Sequence, residues 1–166
     1  MNKIGIIMGS DSDLPIAEKA IEKLAEYGIN YEAHVYSAHR TPEETIRFAK
    51  EARQNGFDAL IGIAGKAAHL AGVIAANTTL PVIGVPVNSS LEGMDALLST
   101  VQMPPGIPVA TVGIDGAANA AILAAEILAV SDEKLAQLLL KKRIEAKEAV
   151  LEKNHRIEEK WNGGTK

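Results

Sequence analysis

The chain has 166 residues, 47% of them hydrophobic but only 4% aromatic, and it contains no cysteine. That length suits one domain able to bury about 70% of its unfolded surface, and the missing cysteines exclude a disulfide framework, a thiolate nucleophile and a thiolate metal site. Net charge is −4, with 8 basic and 14 acidic residues in 1–130 and 9 and 7 in 131–166; an acidic body with no basic aromatic stripe argues against a nucleic-acid partner.

Lys3–Met8 reads as a first strand, and its apolar run is too short for a signal peptide before Asp11 and Asp13 intervene. A helix follows from about Asp13 to Tyr27, with Leu14, Ala17, Ile21 and Leu24 on one face. Asn30–Tyr36 alternates Tyr31, Ala33 and Val35 against Glu32, His34 and Tyr36, the pattern of a strand that buries the first set. Thr41-Pro42-Glu43-Glu44 then opens a helix that runs to Asn55 and stops at Gly56. Its signals are a hydroxyl at the N-cap, proline at N1 and a carboxylate at N3 to close a capping box.

Asp58–Ala64 and Val82–Val87 are apolar on both faces, as central parallel strands are. They lead into helices at Ala67–Asn77 and about Leu91–Thr100, and Val109–Gly113 leads into Gly116–Val130. The longest apolar stretch, Ala117–Val130, contains Asn119 and Glu126 and falls short of the roughly 20 residues that span a bilayer. The chain is therefore expected to be soluble and cytoplasmic, with no membrane partner.

Five strand-then-helix units with short connections predict an α/β fold: a three-layer sandwich around a parallel, flavodoxin-like sheet of order 2-1-3-4-5 with right-handed crossovers. Residues 1–166 are expected to form a single domain, with 1–130 as the α/β core and 131–166 as a C-terminal helix and tail. Ala67–Asn77 and Gly116–Val130 are apolar nearly all round, and residues 67–130 contain no lysine or arginine. Their outer faces call for a cover, which points to a tight homo-oligomer. The charged amphipathic segment Ser131–Trp161, with Leu135, Leu138, Leu139, Val150 and Leu151 available for packing, reads as an arm against the body or a neighbour.

In this topology the polar clusters Gly9–Asp13, Ser37–Arg40, Gly65–His69, Asn88–Ser90 and Asp115–Asn119 all fall at the carboxyl edge of the sheet, where open α/β sheets bind ligands. Gly9-Ser10-Asp11-Ser12-Asp13 joins a strand to a helix start, whose free N–H groups and dipole favour phosphate. The alternative at equal weight is that Ser12 or Asp13 is merely an N-cap. The segment is neither a P-loop nor a dinucleotide fingerprint, so those classes are disfavoured, as is a serine hydrolase.

Ser37-Ala38-His39-Arg40 places an imidazole beside a guanidinium. Histidine can give and take one proton within a turnover, and arginine offers a fixed fork to a phosphate or carboxylate. Gly65-Lys66-Ala67-Ala68-His69-Leu70 is a second loop of small residues around an imidazole, suited to closing over a flat ligand. His39 and His69 lack the i, i+4 spacing of a helix-borne metal site. His34 and His155 are assigned to structural or surface roles.

Met8–Asp13, Ser37–Pro42, Ala67–Leu70, Leu80–Val87 and Ser99–Pro104, in order and in register, resemble the N5-carboxyaminoimidazole ribonucleotide mutases, the class I enzymes of de novo purine synthesis. The resemblance covers residue 4 to about 130. It implies that a carboxylate moves from the exocyclic nitrogen of the substrate to C4, giving 4-carboxy-5-aminoimidazole ribonucleotide, through release and recapture of carbon dioxide. It implies no cofactor: neither metal, biotin nor a nucleoside triphosphate.

Carried over, His39 resembles the general acid and base, while Ser10, Ser37 and Arg40 would hold the phosphate and Asp13 the ribose hydroxyls. The Gly65–Leu70 loop with Lys66, Ala67, His69 and Leu70 would hold the base and the carbon dioxide, and Gly9, Asp11, Ser12 and Ala38 complete the expected binding set. Members are octamers with sites at subunit contacts.

Class I members usually carry glycine where Lys66 stands and proline where Ala71 stands. The class II enzymes, which carboxylate aminoimidazole ribonucleotide directly, have a basic residue at the Lys66 position, but they would also have lysine for Arg40 and lack His69. Direct carboxylation is therefore the runner-up, and a non-catalytic flavodoxin-like nucleotide-binding module is the rival from another class.

Overall fold

A computed structural model describes residues 2–162 of the chain, which fall into two compact units dividing after Leu128. The first is an α/β unit. Its strands are β1 (Lys3–Met8), β2 (Asn30–Val35), β3 (Ala59–Gly65), β4 (Val82–Val87) and β5 (Ala110–Thr111). All pair in parallel in the order β2-β1-β3-β4-β5, as the alternation of elements predicts. The helices are α1 (Leu14–Glu26), α2 (Pro42–Glu51), α3 (Leu70–Ala75), α4 (Met94–Val101) and α5 (Ala117–Ala129), which begins in this unit.

The three central strands carry the core. Ile4, Ile6, Leu60, Ile61, Ile63 and Ile83 have no exposed surface, and burying each such side chain is worth about 1.5–3 kcal/mol. Gly62 and Gly84 stand side by side across β3 and β4. A Cβ on Gly62 would lie 3.2 Å from Ala71 Cα, and one on Gly84 would lie 3.3 Å from Ala71 Cβ and overlap Thr100 Cγ2. The paired glycines therefore let α3 and α4 settle directly on the sheet, which carries the start of α3 to the site.

The expectations for β2 and for the start of α2 need correction. The Tyr31–Val35 face of β2 is the exposed one, with Tyr31 40% and Val35 49% accessible. The other face packs inward: His34 stacks on Tyr36 at 5.1 Å between ring centroids, and both meet Phe48. As an edge strand β2 pairs with β1 alone, and the aromatic side chain offered by α2 decides which face is covered. Thr41 makes no side-chain cap on α2; its hydroxyl instead accepts from the Ser37 N–H at 2.8 Å and donates to the Ser37 carbonyl at 3.2 Å. The capping box forms at Ser10–Asp13.

Among the described residues, the large exposed apolar side chains of this unit do not lie on α3 or within α5. They are Leu91, Met94, Leu98 and Val101 on and before α4, together with Leu14, Tyr31 and Val35. The second unit contains α6 (Glu133–Trp161), capped by the Asp132 carboxylate accepting from Leu135 N–H at 3.1 Å. Leu135 and Leu139 are buried, whereas Val150 and Leu151 are exposed. Among the described residues no helix is long and apolar enough to cross a membrane.

Candidate active site

β1 lies between β2 and β3, so the loops that follow these three strands converge at one edge. They enclose a cavity of about 540 Å³. Every candidate residue named from the sequence lines it except Asp11, whose carboxylate accepts from the Ser10 hydroxyl at 3.1 Å. Ala64 and Ser89 also line the cavity. Ser89 belongs to the Asn88–Ser90 cluster expected at this edge, but Ala64 is an apolar strand residue with no signal of its own. Asn88, Ser90 and Asp115–Asn119 are not part of the lining; Asp115 instead accepts from the Asn88 N–H at 3.0 Å.

The loop after β1 is a single 3-10 turn, Asp11–Asp13, leading into α1. Ser10 caps this turn, while Asp13 stands at the N-cap position of α1 without a side-chain bond to that helix: Ser10 Oγ accepts from Ser12 N–H at 3.3 Å, and Asp13 Oδ2 accepts from Ser10 N–H at 3.1 Å. Asp13 is 7% exposed. Burial raises its carboxyl above the ordinary value, a push opposed chiefly by the backbone N–H of Ser10. The result is a rigid platform of hydroxyls with one carboxylate at its base.

Across β1, Arg40 is fixed by three bonds. Its backbone N–H and Nε donate to Ser37 Oγ at 3.2 and 3.4 Å, and Nη2 donates to the Gly9 carbonyl at 3.0 Å. The guanidinium thus leans from the β2 end toward the β1 end, beside the Ser10, Ser12 and Ser37 hydroxyls. This gathering of donors fits a phosphoryl group.

On the other side β3 ends at Gly65, where a Cβ would collide with Ser89 Oγ. Ala68 N–H and His69 N–H then donate to the carbonyls of Lys66 and Ala67, each at 2.8 Å. This tight winding delays α3 to Leu70, three residues later than the sequence predicts. It also lifts His69 over the end of β1, where its Nδ1 lies 2.9 Å from His39 Nε2 with the rings edge-on. One nitrogen of that pair donates and the other accepts, so the proton positions on the two rings are coupled.

His34 and His155 lie outside the cavity. His34 Nε2 is 3.6 Å from Glu32 and makes no hydrogen bond, while His155 pairs with Glu159 at 3.2 Å on α6. No group of three or more His, Asp or Glu side chains is arranged to hold a metal among the described residues.

The family model described as AIR carboxylase matches residues 3–149. N5-carboxyaminoimidazole ribonucleotide mutase from Methanocaldococcus jannaschii is 56% identical over 156 residues, covering 94% of this chain and 98% of that protein. The protein of the same name from Thermotoga maritima is 51% identical over 160 residues, covering 96% and 94%. The crystal structure of Treponema denticola PurE superposes with a TM-score of 0.83 at 30% identity, covering 94% of this chain and 98% of that one.

Proposed function

We propose that this chain, which belongs to the AIR carboxylase family, converts N5-carboxyaminoimidazole ribonucleotide to 4-carboxy-5-aminoimidazole ribonucleotide with His39 as general acid and base. The observation that carries this reading is the meeting of His39 and His69, 2.9 Å apart, in one cavity with Arg40 and the serine platform. The donors at the β1 and β2 ends hold the phosphate, and Asp13 accepts from the ribose. The heterocycle then lies toward the β3 loop, over the paired imidazoles.

In the reaction the bond from the exocyclic nitrogen to the carboxylate breaks, carbon dioxide departs, and the nitrogen takes a proton from His39. C4 then attacks the held carbon dioxide, and the hydrogen of C4 passes to His39. One proton leaves the imidazole and one returns, so the balance closes without an external acid or base. Holding carbon dioxide beside C4 makes a bimolecular step nearly unimolecular. His69 holds the His39 ring in place and closes the loop over the base.

The exposed apolar side chains around α4 and β2 support a homo-oligomer, read here as an octamer of a cytoplasmic enzyme, with the whole chain acting as one domain. The test supplies the N5-carboxylated ribonucleotide alone, and separately 5-aminoimidazole ribonucleotide with bicarbonate, both without ATP. Efficient conversion of the first is expected. Efficient carboxylation of the second instead would assign the chain to direct carboxylation, and binding without conversion would make it a nucleotide-binding module.

A further inference from the structure

Lys66 adopts φ 57°, the left-handed region that L-residues occupy at a steric cost and glycine does not. The sequence resemblance leads to the expectation of glycine at this position, so the lysine is kept against a backbone preference. It does not serve an internal contact: no hydrogen bond or ion pair holds its ammonium among the described residues, and its side chain is exposed in the lining of the cavity. Its charge is felt at Asp95, whose carboxyl is lowered mainly by the Ser90 hydroxyl, with Lys66 the smallest of the causes.

Arg40 and Lys66 are the two full cations among the described residues that line the cavity. Arg40 follows β2 and Lys66 follows β3, on opposite sides of β1. Two strand spacings separate their roots by about 10 Å, and His39 and His69, one from each of these loops, meet at 2.9 Å. Arg40 is tied to Gly9 and Ser37 at the phosphate end, which leaves Lys66 for an anion at the far end of the ligand.

We propose that Lys66 is the residue that recognises the carboxylate of the substrate and product, and so distinguishes them from the carboxylate-free ribonucleotide. This rests on the reaction proposed above. The carboxylate moves between two ring positions during that reaction, and a single point charge on a flexible four-carbon stem follows it where a rigid guanidinium fork would favour one position.

The test measures dissociation constants of 4-carboxy-5-aminoimidazole ribonucleotide and of 5-aminoimidazole ribonucleotide for the wild type, Lys66→Met, Lys66→Gly and Lys66→Arg. In the Met and Gly variants the carboxylated ligand is expected to bind about 10-fold more weakly, with the carboxylate-free ligand unchanged within about twofold. Arg should retain most of the discrimination. Lys66→Gly should also melt about 2–4 °C higher, because the backbone cost disappears.

Equal losses for both ligands, or no loss for either, would overturn the proposal. So would a wild type that fails to prefer the carboxylated ligand, while leaving the mutase reading intact. A wild type that discriminates between the two ligands through Lys66 but interconverts nothing would sink the mutase reading and leave this one standing.

Discussion

His39 Nε2 lies 2.9 Å from His69 Nδ1, although the two residues are 30 positions apart in the chain and follow strands that do not pair with each other. β1 ends between those strands, and the two loops close over its tip. The contact holds the His39 ring by a neighbour that is itself wound tightly into the start of α3. Replacing His39 with Asn is expected to lower kcat by about 10²–10⁴-fold while leaving the circular dichroism spectrum, the oligomeric state and ribonucleotide affinity near those of wild type. A near-normal kcat would remove His39 from the proton path.

Arg40 is expected to act on the phosphate alone. Arg40→Met should weaken binding of 5-aminoimidazole ribonucleotide by about 10–100-fold, yet leave binding of the phosphate-free nucleoside unchanged. Equal losses for nucleotide and nucleoside, measured by calorimetry, would show that Arg40 shapes the loop through Gly9 and Ser37 and does not read the phosphate.

Asp13 makes a pH-dependent prediction. Burial raises its carboxyl, so folding favours the protonated form. Stability is lost as pH rises from the ordinary carboxylate range through the raised value, and stays lost above it. Asp13→Asn keeps an oxygen for the Ser10 N–H and carries no charge to desolvate. Denaturant unfolding of the two proteins from about pH 3 to 8 should show the variant gaining on the wild type across that window and holding its lead beyond it, while its affinity for the ribonucleotide falls about 10-fold. Parallel stability curves would show that the buried carboxylate carries no such penalty.

The central strands were legible because an apolar run bounded by turn residues leaves little choice of structure. Lys3–Met8 and Val82–Val87 have the bounds that the sequence predicts, and their order places the candidate residues together. Partners set by tertiary packing were not legible. Which face of β2 is buried depends on Phe48 from a later helix, and the Thr41 hydroxyl is taken up by the Ser37 backbone and makes no helix cap. The His39–His69 pair depends on the winding of Lys66–His69, which no spacing rule encodes, and Val109–Gly113 shrinks to the two paired residues of β5.

Gly84 tests the packing that carries α3 to the site. A methyl group there meets Val109 Cγ1 at 3.0 Å as well as Ala71 and Thr100. Gly84→Ala is expected to destabilise the protein by about 1–3 kcal/mol, a fall of several degrees in Tm. An unchanged melting curve would mean that α3 and α4 can move off the sheet without cost.

The most direct measurement follows the carboxyl carbon. N5-carboxyaminoimidazole ribonucleotide labelled with ¹³C in its carboxylate is given to the enzyme in unlabelled bicarbonate, and the product is read by carbon NMR. Release and recapture within the cavity predicts that the label is retained in the C4 carboxylate. A product whose carboxylate matches the unlabelled bicarbonate pool would contradict it.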